Sequence, residues 1–82
     1  MTRKEIEARV HAFLVEDMEI DEEKVYDAAR LKEDMGIDSL DLVDIVVIVN
    51  KTFGFKIKTE EMARVITLRQ FCDYIESKVK EK

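Results

Sequence analysis

The chain has 82 residues, 40% of them charged, with no proline, two glycines, one cysteine and a net charge of −5. That length makes one domain, 1–82, near the lower limit for folding without a staple, and a single cysteine excludes an internal disulfide framework. No apolar run is long enough to span a bilayer, and Met1-Thr2-Arg3-Lys4-Glu5 lacks the apolar segment of a signal peptide, so a cytoplasmic location is expected.

The first helix is predicted to open at Thr2, where Thr2-x-x-Glu5 has the spacing of a capping box. Ile6, Val10, Phe13 and Leu14 recur at helical spacing and make one buried face, while Lys4, Glu7, Arg9 and His11 lie outside it. The pattern fades after Val15. Residues 16–37 read as a long connection, pinned by Ile20, Val25, Tyr26 and Leu31, with a short helical turn near Asp27–Arg30. So long a loop in a small domain is functional or tied down.

The stretch Met35-Gly36-Ile37-Asp38-Ser39-Leu40-Asp41 ends that loop and starts a long apolar run. Asp38 is a good N-cap, because its carboxylate can accept from first-turn N–H groups that have no helical partner. Ser39 then takes the first helical position, with an exposed hydroxyl at the positive end of the helix dipole. The second helix, Ser39 to about Thr52, contains a conflict. Ile45-Val46-Val47-Ile48-Val49 is five β-branched residues in a row, which propensity alone assigns to a strand. The N-cap and the helical recurrence of Leu42, Ile45, Val49 and Phe53 argue for helix. On the helical wheel Leu40, Val43 and Val47 fall away from that stripe. With Asp38, Asp41 and Asp44 they form a mixed apolar and acidic face beginning at Ser39, suited to docking another protein.

Gly54 is placed to cap the second helix. Phe55-Lys56-Ile57-Lys58 alternates as an extended linker with Phe55 and Ile57 facing inward. Thr59 is predicted to cap a short third helix from Glu60 to about Val65. Thr67-x-x-Gln70 is a second capping-box pattern, opening a fourth helix with the stripe Leu68, Phe71, Cys72, Ile75 and Val79. That helix closes in Lys78-Val79-Lys80-Glu81-Lys82, bases that suit a helix C-terminus. Cys72 reads as a small buried residue and His11 as solvent-facing, and the two make no metal site by spacing.

Charge is unevenly placed. Residues 16–44 hold twelve acids and three bases, whereas residues 50–82 hold five acids and eight bases. The acidic region around Ser39 repels phosphates, which argues against nucleic acid as a partner, and a basic patch on a protein is its natural complement. An EF-hand reading fails, because counting from Asp34 puts Gly36 third and Ile45 twelfth. A serine-hydrolase reading fails as well, since His11 is the only histidine and no G-x-S-x-G elbow is present.

Gly36-Ile37-Asp38-Ser39-Leu40-Asp41 resembles the attachment motif of acyl carrier proteins. Leu31 to Asp44 is similar to the motif region of that family, Phe53-Gly54 through Glu61 to the segment after its second helix, and Thr67-Leu68 to Ile75 to its last helix. The fold expected is all-α: a small four-helix bundle with a long loop between the first two helices and a short third helix. The resemblance implies that Ser39 carries 4′-phosphopantetheine, derived from coenzyme A, and that its thiol holds acyl groups as thioesters. The protein is then a carrier rather than an enzyme, and a monomer, served by a phosphopantetheinyl transferase. Its further partners are an acyl ligase or acyltransferase and ketosynthase-type enzymes with basic docking patches. Asp38, Asp41 and Asp44 supply steering, Leu40, Val43 and Val47 apolar contact. The resemblance also implies shelter for an acyl chain inside the bundle, with Val49, Ile57, Met62 and Ile66 as lining residues, although ordinary core accounts for the same four.

The sequence departs from the pattern of carriers of primary fatty acid synthesis at two places. An acidic cluster at the end of the second helix is replaced by Asn50-Lys51-Thr52, and a proline-acid pair after the linker isoleucine by Lys58-Thr59. The expectation is a specialised carrier in a lipid, polyketide or envelope-related pathway. An aminoacyl, D-alanyl or peptidyl carrier, and an unmodified helical docking module, are the alternatives.

Overall fold

A computed structural model describes residues 2–80. Its helices are α1 (Arg3–Glu16), α2 (Ser39–Phe53), α3 (Thr59–Met62) and α4 (Leu68–Lys80), with a 3-10 turn at Glu22–Lys24 between α1 and α2. The all-α reading with a long first loop and a short third helix holds. The final Glu81-Lys82 of the fourth-helix expectation lie outside the described residues.

The core is one cluster. Ile6, Val10, Phe13 and Leu14 of α1 meet Phe71, Cys72 and Ile75 of α4 and Ile45, Val49 and Phe53 of α2. Phe13 and Phe71 pack edge to face with centroids 6.4 Å apart, a geometry that aligns the positive ring edge with the negative ring face. The β-branched run of α2 stays helical because Ile45 and Val49 are buried and Val46 and Ile48 pack against the cluster. Tertiary burial outweighs a per-residue helix penalty of at most about 0.7 kcal/mol.

Side-chain caps open α1, α2 and α4. The Thr2 hydroxyl accepts from the Glu5 N–H at 3.2 Å. Thr67 and Gln70 form a reciprocal pair at the head of α4: the Gln70 N–H donates to the Thr67 hydroxyl and the Thr67 N–H to Gln70 Oε1. Gly54 ends α2 at φ 79°, the left-handed region in which a side chain is costly. The third helix departs from expectation. Lys58, not Thr59, is its N-cap, with no side-chain bond, and it ends at Met62.

Three of the four predicted anchors hold the long loop, and the fourth does not. Leu31 is buried and Ile20 and Val25 pack on the core, but Tyr26 is 52% exposed. Ala29, Met35 and Ile37 are buried as well. The helical turn lies at Glu22–Lys24, and Asp27–Arg30 holds only a turn closed by the Ala29 N–H on Tyr26 O. Backbone bonds then stitch the loop to the α3–α4 connection. The Leu31 N–H donates to Ile66 O and the Leu68 N–H to Ala29 O, both at 2.9 Å, around an antiparallel bridge of Arg30 with Thr67. Half-burial of His11 also departs from its solvent-facing assignment.

Candidate functional site

The entry to α2 is built residue by residue. The Arg30 N–H and guanidinium both donate to the Asp34 carboxylate, and this holds the Asp34 carboxyl below its ordinary range. The turn so fixed delivers the chain to Gly36 at φ 72°, where no neighbour would meet an added Cβ, so conformation alone calls for glycine. Ile37, buried, donates its N–H to Leu31 O and anchors the next step. Asp38 is extended and caps the helix: its Oδ1 accepts the Leu40 and Asp41 N–H groups, both at 3.0 Å. In return the Asp38 N–H donates to the Asp41 carboxylate at 3.1 Å. Two orphan donors and the cap itself are satisfied by two aspartates.

Ser39 follows on this rigid start. It is exposed, and its hydroxyl has no hydrogen bond among the described residues. Among the described residues no side chain is hydrogen-bonded to it as a base would be in a nucleophile–base pair. Leu40 is 78% exposed, Val43 61% and Val47 50%. Asp38 and Asp44 are exposed and Asp41 is half-buried. Ser39, Leu40, Val43, Asp44 and Val47 therefore stand together on one uncovered face, and the loop does not fold over it. Asp38 and Asp41 are partly engaged in capping, whereas Asp44 makes no ion pair among the described residues.

Two depressions flank this end of the helix. A polar one of about 360 Å³ is lined by loop residues including Glu19, Asp21 and Lys24, with Gly36 and Asp41. No group of three or more His, Cys, Asp or Glu among the described residues is arranged to hold a metal ion. A less polar groove of about 340 Å³ runs between α2 and the α3–α4 connection, lined by Leu42, Thr59, Met62, Ala63, Val65 and Ile66 with Arg30, Lys32 and Glu33 at its side.

The four residues expected to line an acyl shelter are not brought together. Met62 and Ile66 share the groove, but Ile66 is 57% exposed and stands at its edge rather than in the interior. Val49 and Ile57 are buried in the core and do not line the groove. Leu42, Ala63 and Val65 do. Leu42 sits at the border of the buried stripe of α2, which was the available signal. Ala63 and Val65 follow the end of α3, whose position sequence spacing misplaced.

The family model for the phosphopantetheine attachment site matches residues 8–75. The acyl carrier protein of Thermotoga maritima is 36% identical over 78 residues, covering 95% of this chain and 96% of that protein. Acyl carrier proteins from two strains of Buchnera aphidicola subsp. Acyrthosiphon pisum are 32% identical over 75 residues, covering 92% of this chain and 94% of theirs.

Proposed function

The chain belongs to the acyl carrier protein family, a family of carriers rather than enzymes that bear covalently attached 4′-phosphopantetheine, and we propose that Ser39 is its attachment residue. What supports this is one observation: Ser39 Oγ is an exposed, unbonded hydroxyl at the first position of a firmly capped helix. A phosphopantetheinyl transferase can reach it without unfolding anything, and the capping box fixes the backbone that carries it. The attached group supplies a thiol that carries acyl chains as thioesters.

The residues around Ser39 then present the arm. Tethering raises the effective concentration of an acyl group at each partner's active site without any chemistry by the carrier itself. Asp38, Asp41 and Asp44 steer partners with basic patches, and Leu40, Val43 and Val47 give the apolar contact. The partners are the transferase, an acyl ligase or acyltransferase and ketosynthase-type enzymes. The pathway is a specialised one of lipid, fatty acid or polyketide synthesis, a reading supported by Lys51 where carriers of primary synthesis have an acidic cluster. For the acyl chain, the groove beneath Ile66 is a better shelter than the set Val49, Ile57, Met62 and Ile66, because it opens between α2 and the segment after α3.

The test is the intact mass of the protein after incubation with coenzyme A and a broad-specificity phosphopantetheinyl transferase, with Ser39→Ala alongside. A gain of one phosphopantetheinyl group in the wild type alone is expected. A gain in Ser39→Ala, or none in a folded wild-type sample, overturns the assignment.

A further inference from the structure

The exposed stripe of α2 does not end in acid. Leu40, Val43, Val47 and Lys51 follow at i, i+3, i+7 and i+11, which places them on one line along the helix. Asp41 and Asp44 border its first half. Val47, half-exposed, stands between two shallow depressions. One, of about 460 Å³, is edged by Asp44, Ile48 and Lys51 together with Asp17 of the α1 end. The other, of about 320 Å³, is edged by Val46, Asn50 and Lys56 from the linker after α2. Lys51 and Lys56 are exposed and neither is in an ion pair with a described carboxylate, unlike Arg3, Arg30 and Lys78.

We infer that Lys51 and Lys56 form a cationic docking point for carboxylates of a partner protein, at the opposite end of the stripe from the acidic Ser39 end. This rests on the carrier reading above and adds the partner's chemistry. The partner surface that fits is itself two-signed: bases opposite Asp41 and Asp44, an apolar side chain beside Val47, and carboxylates opposite Lys51 and Lys56. From Asp41 to Lys51 is about 15 Å of helix, longer than a Debye length at physiological salt, so the two ends are read separately. A face of one sign lets a partner dock in either direction along the helix. A face with opposite ends admits one direction and repels the reverse, which sets where Ser39 lies relative to the partner.

The test uses the full chain and two designed helical peptides titrated at physiological ionic strength while backbone amide shifts are recorded. One peptide has arginines at one end, leucine in the middle and glutamates at the other end. The second has arginine in place of every glutamate. Wild type is expected to bind the first about fivefold more tightly than expected for the Lys51→Glu/Lys56→Glu variant, with shifts at Val47, Lys51 and Lys56. The variant is expected to prefer the second peptide. An unchanged preference between wild type and variant overturns the inference. So does a wild-type dimer in sedimentation that the two substitutions split, which would make a second copy the occupant. Mass gain with coenzyme A and the transferase, measured on the same samples, separates the outcomes. Loss of loading in wild type defeats the carrier assignment, whereas normal loading with no charge preference defeats this inference alone.

Discussion

The Tyr74 hydroxyl donates to Glu61 Oε1 at 2.7 Å and so ties the short α3 to α4. The Lys58 N–H donates to the same hydroxyl at 3.4 Å, and Lys78 Nζ lies 3.3 Å from the other Glu61 oxygen. Phe55 packs edge-on to the Tyr74 ring with centroids 6.1 Å apart. A helix of four residues has no stability of its own, because nucleation costs more than one turn returns. Its place beside the groove therefore depends on this cluster together with Met62, which is buried in the core. The Tyr74→Phe variant is expected to melt a few degrees below wild type at neutral pH and to exchange the amides of residues 59–65 faster.

The same contact has a pH signature. The Tyr74 hydroxyl, and after it Lys78, holds the Glu61 carboxyl below its ordinary value of 4.5. A folded pKa below the unfolded one stabilises the protein above the unfolded value, and that stabilisation is lost as pH falls through the folded value. The gap in thermal midpoint between wild type and Tyr74→Phe is thus expected to be full at pH 7 and to close on acidification below about pH 4.5. A gap that stays constant to acid would show that the hydroxyl acts through packing alone.

Asp38 has two separable roles, the cap of α2 and a charge beside Ser39. Asp38→Ala removes the side-chain acceptor of the Leu40 and Asp41 N–H groups, and a loss of about 1 kcal/mol is expected in denaturant unfolding. Asp38→Asn keeps an acceptor and drops the charge, so its stability stays within a few tenths of a kcal/mol of wild type. If steering is the larger role, Asp38→Asn slows loading by the transferase as much as Asp38→Ala does. Loading that follows stability instead assigns Asp38 to the cap.

Glu19 is strained. It leaves α1 at φ 57°, where a Cβ is disfavoured, and the following Ile20 N–H closes on Leu14 O at 3.0 Å. Glu19→Gly relieves that conformation and is expected to stabilise the fold by about 0.5–1 kcal/mol, read as a raised denaturant midpoint with unchanged slope.

Much of this was legible from residues because the signals were local. Asp38, Thr67 and Gly54 each mark a helix end through their own backbone neighbours, and the stripe of α4 is a clean period. The acidic and apolar face of α2 was legible by subtraction, once Ile45, Val49 and Phe53 were assigned inward. What was not legible depends on pairs distant in sequence. The stitching of Leu31 to Ile66 and of Ala29 to Leu68 is backbone bonding, which no side-chain pattern announces. It buries Ala29 and leaves Tyr26 outside. The exposure of Ile66 follows from that stitching, because its carbonyl faces the loop. Arg3, bridging to Glu7, Asp73 and Glu76 across α1 and α4, is another such pair network.

Cys72 is buried against α1, and that burial pushes its thiol up to about 11. The thiolate is the reactive form, so at neutral pH the folded protein is expected to resist a thiol-alkylating reagent and to react fully once unfolded. The consequence for a carrier is practical. In the protein that bears the arm without an acyl group, the arm's thiol is then the one that an alkylating reagent labels, and label bound to Cys72 in a folded sample would show that α1 and α4 open.

Lys51 makes the sharpest prediction about partners. It is exposed in the last turn of α2, where a base suits the helix dipole. Lys51→Glu reverses the sign there and costs only a few tenths of a kcal/mol of stability, the size of an exposed dipole interaction. If the departure at Asn50-Lys51-Thr52 keeps this carrier away from the enzymes of primary fatty acid synthesis, restoring an acid improves acyl loading or elongation by them. The gain is expected in apparent affinity and should shrink with added salt, as exposed charges are screened. Lys51→Gln is the control, with roughly half the effect because it removes the cation without adding an anion. Unchanged kinetics in both variants would mean that these enzymes read the carrier at its Ser39 end alone.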